Sequence, residues 1–372
     1  MNTGKRSRVL VISQGIDGGV APLVSRLSIG LSERGARVAV RYVGRPAPSK
    51  FVPLDRAAGL DSEAIVTGRA RSLSEVAGLL RSIGAVMRAA RSLQPTHVVF
   101  GGFIPMLVYA PWLSLLTPAR LVLWDHVPQN TFVRIKSILA PLSLGRVDRI
   151  VSISPSTARG MTEHFGIPPE RITIVPNGLD PRRWTALKPA PSLDVLRIVM
   201  PARLDLNQKD HPTLLRALAL LRDRGVDARL SIVGGGVDEG AIRQAVRQLG
   251  LDDGVTFLGH SDDIPSVLEA HNVMCLSTRF EGLPTVVIEA MLARRAVVAS
   301  RVAGCVDLIE HGRNGYLFEA GNASDCADQL MAVRSSTHLQ DMIAAAQQEA
   351  LERYTPQAMV SGFDRVLAEL IT

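Results

Sequence analysis

Short β-branched runs alternate with helical patterns along the whole of this chain, and near residue 196 the alternation begins again. Strands joined through helices are carried back over their sheet by each crossover, which makes neighbouring strands parallel. The first half predicts strands at 8–13, 37–43, 97–101, 120–124, 149–153 and 172–175, with intervening helices that include 20–34 and 73–92. The second half predicts strands at 196–200, 229–233, 255–258, 273–276, 296–299 and 316–318. Between them lies Trp184-Thr185-Ala186-Leu187-Lys188-Pro189-Ala190-Pro191-Ser192, a proline-bearing connector. A chain of 372 residues is long for one core and comfortable for two. The expectation is therefore an α/β protein of two doubly wound domains, 1–187 and 188–354, facing each other across a cleft. Open parallel sheets take ligands at the carboxyl ends of their strands.

Composition narrows the class. Hydrophobic residues make up 47% and charged ones 21%, as in a globular chain rather than a disordered one. The longest stretch without formal charge, Ser92–Ala119, invites a membrane reading. It contains Pro95, Pro105, Pro111, Pro118 and Gly101-Gly102, so it reads instead as a buried strand, a turn and a broken apolar helix. The start, Lys5-Arg6-Ser7-Arg8 followed by Val9–Ser13, has too short an apolar run for a signal peptide and reads as a first strand. Cys275, Cys305 and Cys326 show no metal spacing and read as buried free thiols of a reducing cytoplasm. Charge is unevenly divided: residues 1–187 hold 24 Lys and Arg against 11 Asp and Glu, a net +13, and the remainder is −6. That asymmetry suits an anionic partner for the first half, a membrane surface or a phosphate-bearing lipid, and suits equally a genome that favours arginine. Nucleic acid is disfavoured, since aromatics are 4% and do not interleave with basic residues.

The most chemically pointed stretch is Thr278-Arg279-Phe280-Glu281-Gly282-Leu283-Pro284-Thr285-Val286-Val287-Ile288-Glu289-Ala290-Met291. It sets two carboxylates eight residues apart, with a turn between a strand-like and a helix-like run. Glu281 precedes the helix, and Glu289 falls below its start on nearly the same face. The first amides, around Thr285, Val286 and Val287, are expected to point out unpaired at the electropositive end of the helix. Pro284, lacking an N–H, costs little there. Such a turn suits a phosphate held by amides, one carboxylate for a sugar hydroxyl and another for a ribose hydroxyl.

Glu281 and Glu289 resemble the paired glutamates of the E-x7-E signature of retaining glycosyltransferases with the GT-B fold, family 4 in particular. The flanking landmarks are similar in order and spacing: Pro201-Ala202-Arg203-Leu204 with Lys209, Val233-Gly234-Gly235-Gly236, His311–Leu317, and the junction Val175–Asp180. The resemblance is dense from about 150 to 320 and thinner before that. It implies that Arg203 and Lys209 hold the departing diphosphate, by an arginine fork and a compact second charge. It implies that Gly18-Gly19, before the helix from Val20, form a donor-side glycine loop, though a glycine pair there is also an ordinary turn. His126, after Trp124-Asp125 at a strand end, resembles the histidine that contacts the donor sugar, while His97 and His164 read as packed or surface residues. Gly234 resembles a close-approach glycine beside the nucleotide, and His260 the base-binding loop. Gly282, Leu283, Pro284 and Thr285 complete the donor turn. The final helix, 355–372, is expected to cross back to the first domain.

Some habits of the family are absent. Arg294 and Ala296 replace a glycine and a proline after the E-x7-E helix, which predicts a different local turn. Ala303-Gly304-Cys305-Val306-Asp307 likewise departs from the usual pattern. The chain has no D-x-D metal–diphosphate motif. The resemblance implies a retaining, metal-independent transfer from a nucleotide-diphospho-sugar, a UDP-sugar above all, without a resident cofactor. The expected acceptor is a glycan or lipid-linked saccharide of surface polysaccharide synthesis. The enzyme is expected in the cytoplasm, with peripheral attachment to the membrane's inner face through residues 73–92, where Arg81 and Arg88 share a face with Arg91 nearby. A small soluble acceptor and a non-catalytic sugar-nucleotide binder are the rival readings. A nicotinamide oxidoreductase fails on the spacing of Gly15, Gly18 and Gly19.

Overall fold

Every pairing between strands is parallel among the residues that the computed structural model describes, which are 7–14, 20–44, 51–67, 73–126 and 140–371. The strands are β1 (Arg8–Gln14), β2 (Arg37–Gly44), β3 (Asp61–Val66), β4 (His97–Gly101), β5 (Arg120–Asp125), β6 (Arg149–Ser152) and β7 (Ile172–Ile174). The second set comprises β8 (Leu196–Pro201), β9 (Ala228–Val233), β10 (Val255–Gly259), β11 (Val273–Leu276), β12 (Ala296–Ser300) and β13 (Tyr316–Phe318). They form two sheets, in the orders β3-β2-β1-β4-β5-β6-β7 and β10-β9-β8-β11-β12-β13. In each, the chain works outward from its first strand and then reverses, so the doubly wound α/β expectation holds in both halves.

The first unit comprises Met1–Gly178 with Pro356–Thr372, and the second Leu179–Thr355. Central strands read as near-continuous apolar runs because helices cover both faces of each sheet. Leu10, Ile12, Val98 and Phe100 are fully buried in one, and Ile198, Met200, Met274 and Val298 in the other. The helix Pro356–Glu369 packs against Val20–Glu33, with Phe363 meeting Trp124 edge-on at 4.8 Å between ring centroids. The segment 179–187 belongs with the second unit, nine residues earlier than the sequence boundary. Trp184 is buried there, Leu179 N–H donates to the Tyr354 carbonyl at 2.8 Å, and Arg294 Nη2 donates to the Leu187 carbonyl at 3.1 Å.

Strand β3 is absent from the sequence reading. Its residues Asp61-Ser62-Glu63-Ala64-Ile65-Val66 carry too few apolar side chains to stand out, and it lies at the sheet edge. Asp55 holds it: this fully buried carboxylate accepts from Tyr42 Oη and Ser62 Oγ at 3.0 Å each, and from Ser25 Oγ. The broken helix expected before Ala119 is also corrected. Phe103–Leu116 runs without interruption, with Pro111 inside it. Among the described residues no helix is long and apolar enough to cross a membrane.

Candidate active site

In the second sheet the strand order reverses between β8 and β11, and ligands of such sheets sit outside the carboxyl ends of the strands at that reversal. The loops that leave β8 and β11 there are stitched together. Lys209 bridges Thr278 in antiparallel fashion, Arg279 N–H donates to the Gln208 carbonyl at 2.8 Å, and Asp210 N–H donates to the Ser277 carbonyl at 3.0 Å. Thr278 N–H is fixed in turn by Ser300 Oγ at 2.9 Å.

This stitching brings Lys209 Nζ into an ion pair with Glu281 Oε1, both residues 9% exposed or less. The Thr278 hydroxyl lies 3.0 Å from the same oxygen, and Gln208 Nε2 donates to Oε2 at 3.3 Å. Arg203, exposed, donates from Nη2 to Gln208 Oε1 at 2.9 Å. One hydrogen-bonded chain thus links Arg203, Gln208, Glu281, Lys209 and Thr278. A buried ion pair gains little over an apolar pair, because desolvation offsets the attraction, whereas removing one partner strands the other. The lysine ammonium keeps further N–H donors for an incoming anion. Gln208 and Thr278 are the members that sequence reasoning missed. Gln208 stands beside Lys209 and Thr278 opens the stretch that carries Glu281, and the only signal in each case was a polar side chain next to a charged one.

The loop after β9 comes close to the loop after β8. Gly234 has φ 140°, and a Cβ there would lie 2.1 Å from the Ala202 carbonyl oxygen. A Cβ on Gly236 would lie 2.2 Å from the Leu204 carbonyl oxygen. Only hydrogen fits at either position, so these glycines set how near the loop passes to Arg203. A Cβ on Gly304 would come within 2.6 Å of the Gly282 carbonyl oxygen, so that residue lies directly against the turn that precedes the helix Thr285–Leu292. Cys305, fully buried next to it, has its thiol pKa pushed well up by burial and then by the field of Glu281.

Leu283 and Pro284 are buried, and Thr285 starts the helix Thr285–Leu292 with no side-chain cap. The expectation of three unpaired amides is corrected to two at most, since Val287 N–H is spent on the Pro284 carbonyl at 3.1 Å. Glu289 is half-buried, one turn further along. Arg294 adopts φ 55°, so the left-handed helix end is kept without glycine, against the expectation of an altered turn. His260 is exposed, 3.6 Å from Asp262.

In the first unit, His126 follows β5, its ring 4.4 Å from that of Trp124. Burial lowers its pKa to about 3, so the ring is neutral at working pH, and its Nε2 has no hydrogen-bond partner among the described residues. His97 is fully buried and His164 exposed. Gly18 and Gly19 lie outside the described residues.

Residues 17–183 match the family described as Glycosyltransferase Family 4, and residues 196–335 that described as Glycosyl transferases group 1. The N-acetyl-alpha-D-glucosaminyl L-malate synthase of Bacillus anthracis is 31% identical over 147 residues, which are 39% of each chain. The 2-deoxystreptamine glucosyltransferase of Streptomyces kanamyceticus is 27% identical over 348 residues, 83% of this chain and 88% of that one. Matches to three curated relatives span 39%, 58% and 57% of their lengths, about half of each. Among solved structures, Anabaena HepE in complex with UDP and glucose superposes with a TM-score of 0.81 at 20% identity, covering 98% of this chain and 100% of that one.

Proposed function

We propose that this chain, which belongs to the GT-B glycosyltransferases of family 4, moves a sugar from UDP onto a glycan or lipid-linked saccharide with retention at the anomeric carbon. The observation that carries the reading is the hydrogen-bonded chain from Arg203 to Glu281 at the reversal of the second sheet. Arg203 and Lys209 take the diphosphate, aided by the amides at the start of the helix Thr285–Leu292. Glu281 takes a donor-sugar hydroxyl, Glu289 a ribose hydroxyl, and Gly234 the close approach of the nucleotide. The loop at His260 receives the base, and His126 and Gly18-Gly19 are the further residues that the family resemblance assigns to the donor sugar. The choice of uridine is supported by HepE, a protein of the same fold that binds UDP and glucose.

Transfer would break the bond from the anomeric carbon to the diphosphate oxygen. The acceptor oxygen would form its bond on the same face and pass its proton to the departing diphosphate. Arg203 and Lys209 neutralise that group as its charge develops, which is where preorganised donors act most strongly. No resident metal or cofactor takes part in this proposal.

A small soluble acceptor is the second reading, favoured by the glucosyltransferase of S. kanamyceticus, whose acceptor by name is 2-deoxystreptamine. The donor half is common to both and is tested first. In a thermal-shift panel of UDP, GDP, ADP and NAD, UDP alone is expected to raise the melting midpoint, and Arg203→Ala/Lys209→Ala is expected to abolish the rise. Stabilisation by another nucleotide, or a UDP shift that survives the double substitution, would overturn the assignment.

A further inference from the structure

Arg203 and Lys209 carry the two charges assigned to the diphosphate, yet they are held in different ways. Lys209 is buried and fixed by its ion pair with Glu281. Arg203 is exposed, just past the end of β8. A long side chain left free at such a position loses rotamer freedom when it grips a ligand, and that loss is taken from affinity. Among the described residues, the polar contact that holds the Arg203 guanidinium is the hydrogen bond from Nη2 to Gln208 Oε1 at 2.9 Å.

Gln208 is itself fixed in main chain and side chain. Its carbonyl accepts from Arg279 N–H at 2.8 Å, next to the antiparallel bridge between Lys209 and Thr278. Its side-chain Nε2 donates to the Phe280 carbonyl at 3.2 Å and to Glu281 Oε2 at 3.3 Å. These partners settle which way the amide points, since a flipped amide would set N–H against Arg203 and oxygen against two oxygens. The carboxamide is suited to both tasks. A glutamate here would oppose Glu281 and the Phe280 carbonyl, and a lysine would oppose Arg203 and Lys209.

We infer that Gln208 is a positioning residue of the donor site. Its carboxamide ties the exposed Arg203 guanidinium to the buried pair of Glu281 and Lys209, so the arginine is ordered before the diphosphate arrives. The inference rests on the reading of this loop as the diphosphate site. It goes beyond that reading by giving part of the arginine's grip to a neutral residue that acts through it. Preorganisation of this kind raises affinity by removing an ordering cost.

The test is a double-mutant cycle on UDP affinity by titration calorimetry, with Arg203→Ala, Gln208→Met and the two combined. Methionine keeps the reach of the glutamine but makes neither of its hydrogen bonds. Gln208→Met alone is expected to weaken UDP binding about fivefold, the ordering cost of one long side chain. Its melting midpoint without ligand should stay close to that of wild type. In the Arg203→Ala background the same substitution should change UDP affinity by less than about twofold, since no guanidinium is left to position. Gln208→Ala should follow the same pattern, so the result does not depend on how methionine packs. A purely structural role would weaken binding equally in both backgrounds. The inference is overturned if Gln208→Met binds UDP as wild type does, or if its effect is the same with and without Arg203. Undiminished affinity in Arg203→Ala would instead take the arginine out of the site, and the donor-site reading would fall together with the inference.

Discussion

Three consecutive glycines after β9 differ in what they tolerate, and the difference is a sharp check on the loops around the site. Gly234→Ala and Gly236→Ala drive a methyl group into the carbonyls of Ala202 and Leu204, whereas Gly235 has open space around its would-be Cβ. Each of the first two should destabilise the second unit by about 2 kcal/mol or more, while Gly235→Ala should stay within about 0.5 kcal/mol in chemical denaturation. The run of glycines is visible in the sequence, but which of them are indispensable depends on backbone brought in from β8. At the ion pair, Lys209→Ala leaves Glu281 buried without its cation and should cost about 3 kcal/mol. Glu281→Gln keeps one carbonyl oxygen for Thr278 and Lys209 but sets an N–H against Gln208 Nε2 and removes the countercharge of Lys209. It should lower transfer on the order of 100-fold in a donor-turnover assay, and should also lower the melting midpoint, because the lysine ammonium is left buried without its anion.

Among the elements, β3 depends on a single buried group. Asp55→Ala would leave the hydroxyls of Tyr42, Ser62 and Ser25 without their acceptor, a loss of about 3 kcal/mol from the first unit. Faster amide hydrogen exchange in 61–66 is the expected signature. The sequence concealed this strand because its anchor lies on the preceding helix, Phe51–Ala57, and because edge strands have only one neighbour to satisfy. The apolar helix Phe103–Leu116 was misread for a related reason. Proline in a helix interior normally interrupts it, yet here the chain runs through Pro111. Strands in the sheet interiors were legible because burial on both faces makes them uniformly apolar. The helix Thr285–Leu292 is legible from the turn Glu281–Thr285 and the apolar run after it, but fewer of its amides are free than that reading expects, since the Val287 amide turns back onto Pro284.

For the molecule as a whole, the repeated strand–helix alternation made the two-sheet architecture legible, while contacts of long sequence separation within the site were not. Lys209 and Glu281 are separated by 72 positions, and the resemblance placed both near the donor without indicating that they pair. Acid sensitivity follows from the two most perturbed histidines, one in each unit. Burial holds His126 at about 3 and His211 at about 4, against 6.5 for the exposed ring. Below pH 6.5 the unfolded chain takes up protons that the folded chain refuses, so this stability is complete above pH 6.5 and is lost as pH falls toward 3. Each group contributes a slope of up to about 1.4 kcal/mol per pH unit in that window. Urea midpoints measured from pH 8 to pH 4.5 should be level at first and then decline, and His211→Asn should flatten the decline in the second unit. The central claim is that the reversal in the second sheet is the donor site, and a crystal structure grown with saturating UDP tests it most directly. The diphosphate is predicted against Arg203 and Lys209, with the ribose at Glu289. UDP bound away from these residues, or a second unit left empty at saturation, would contradict it.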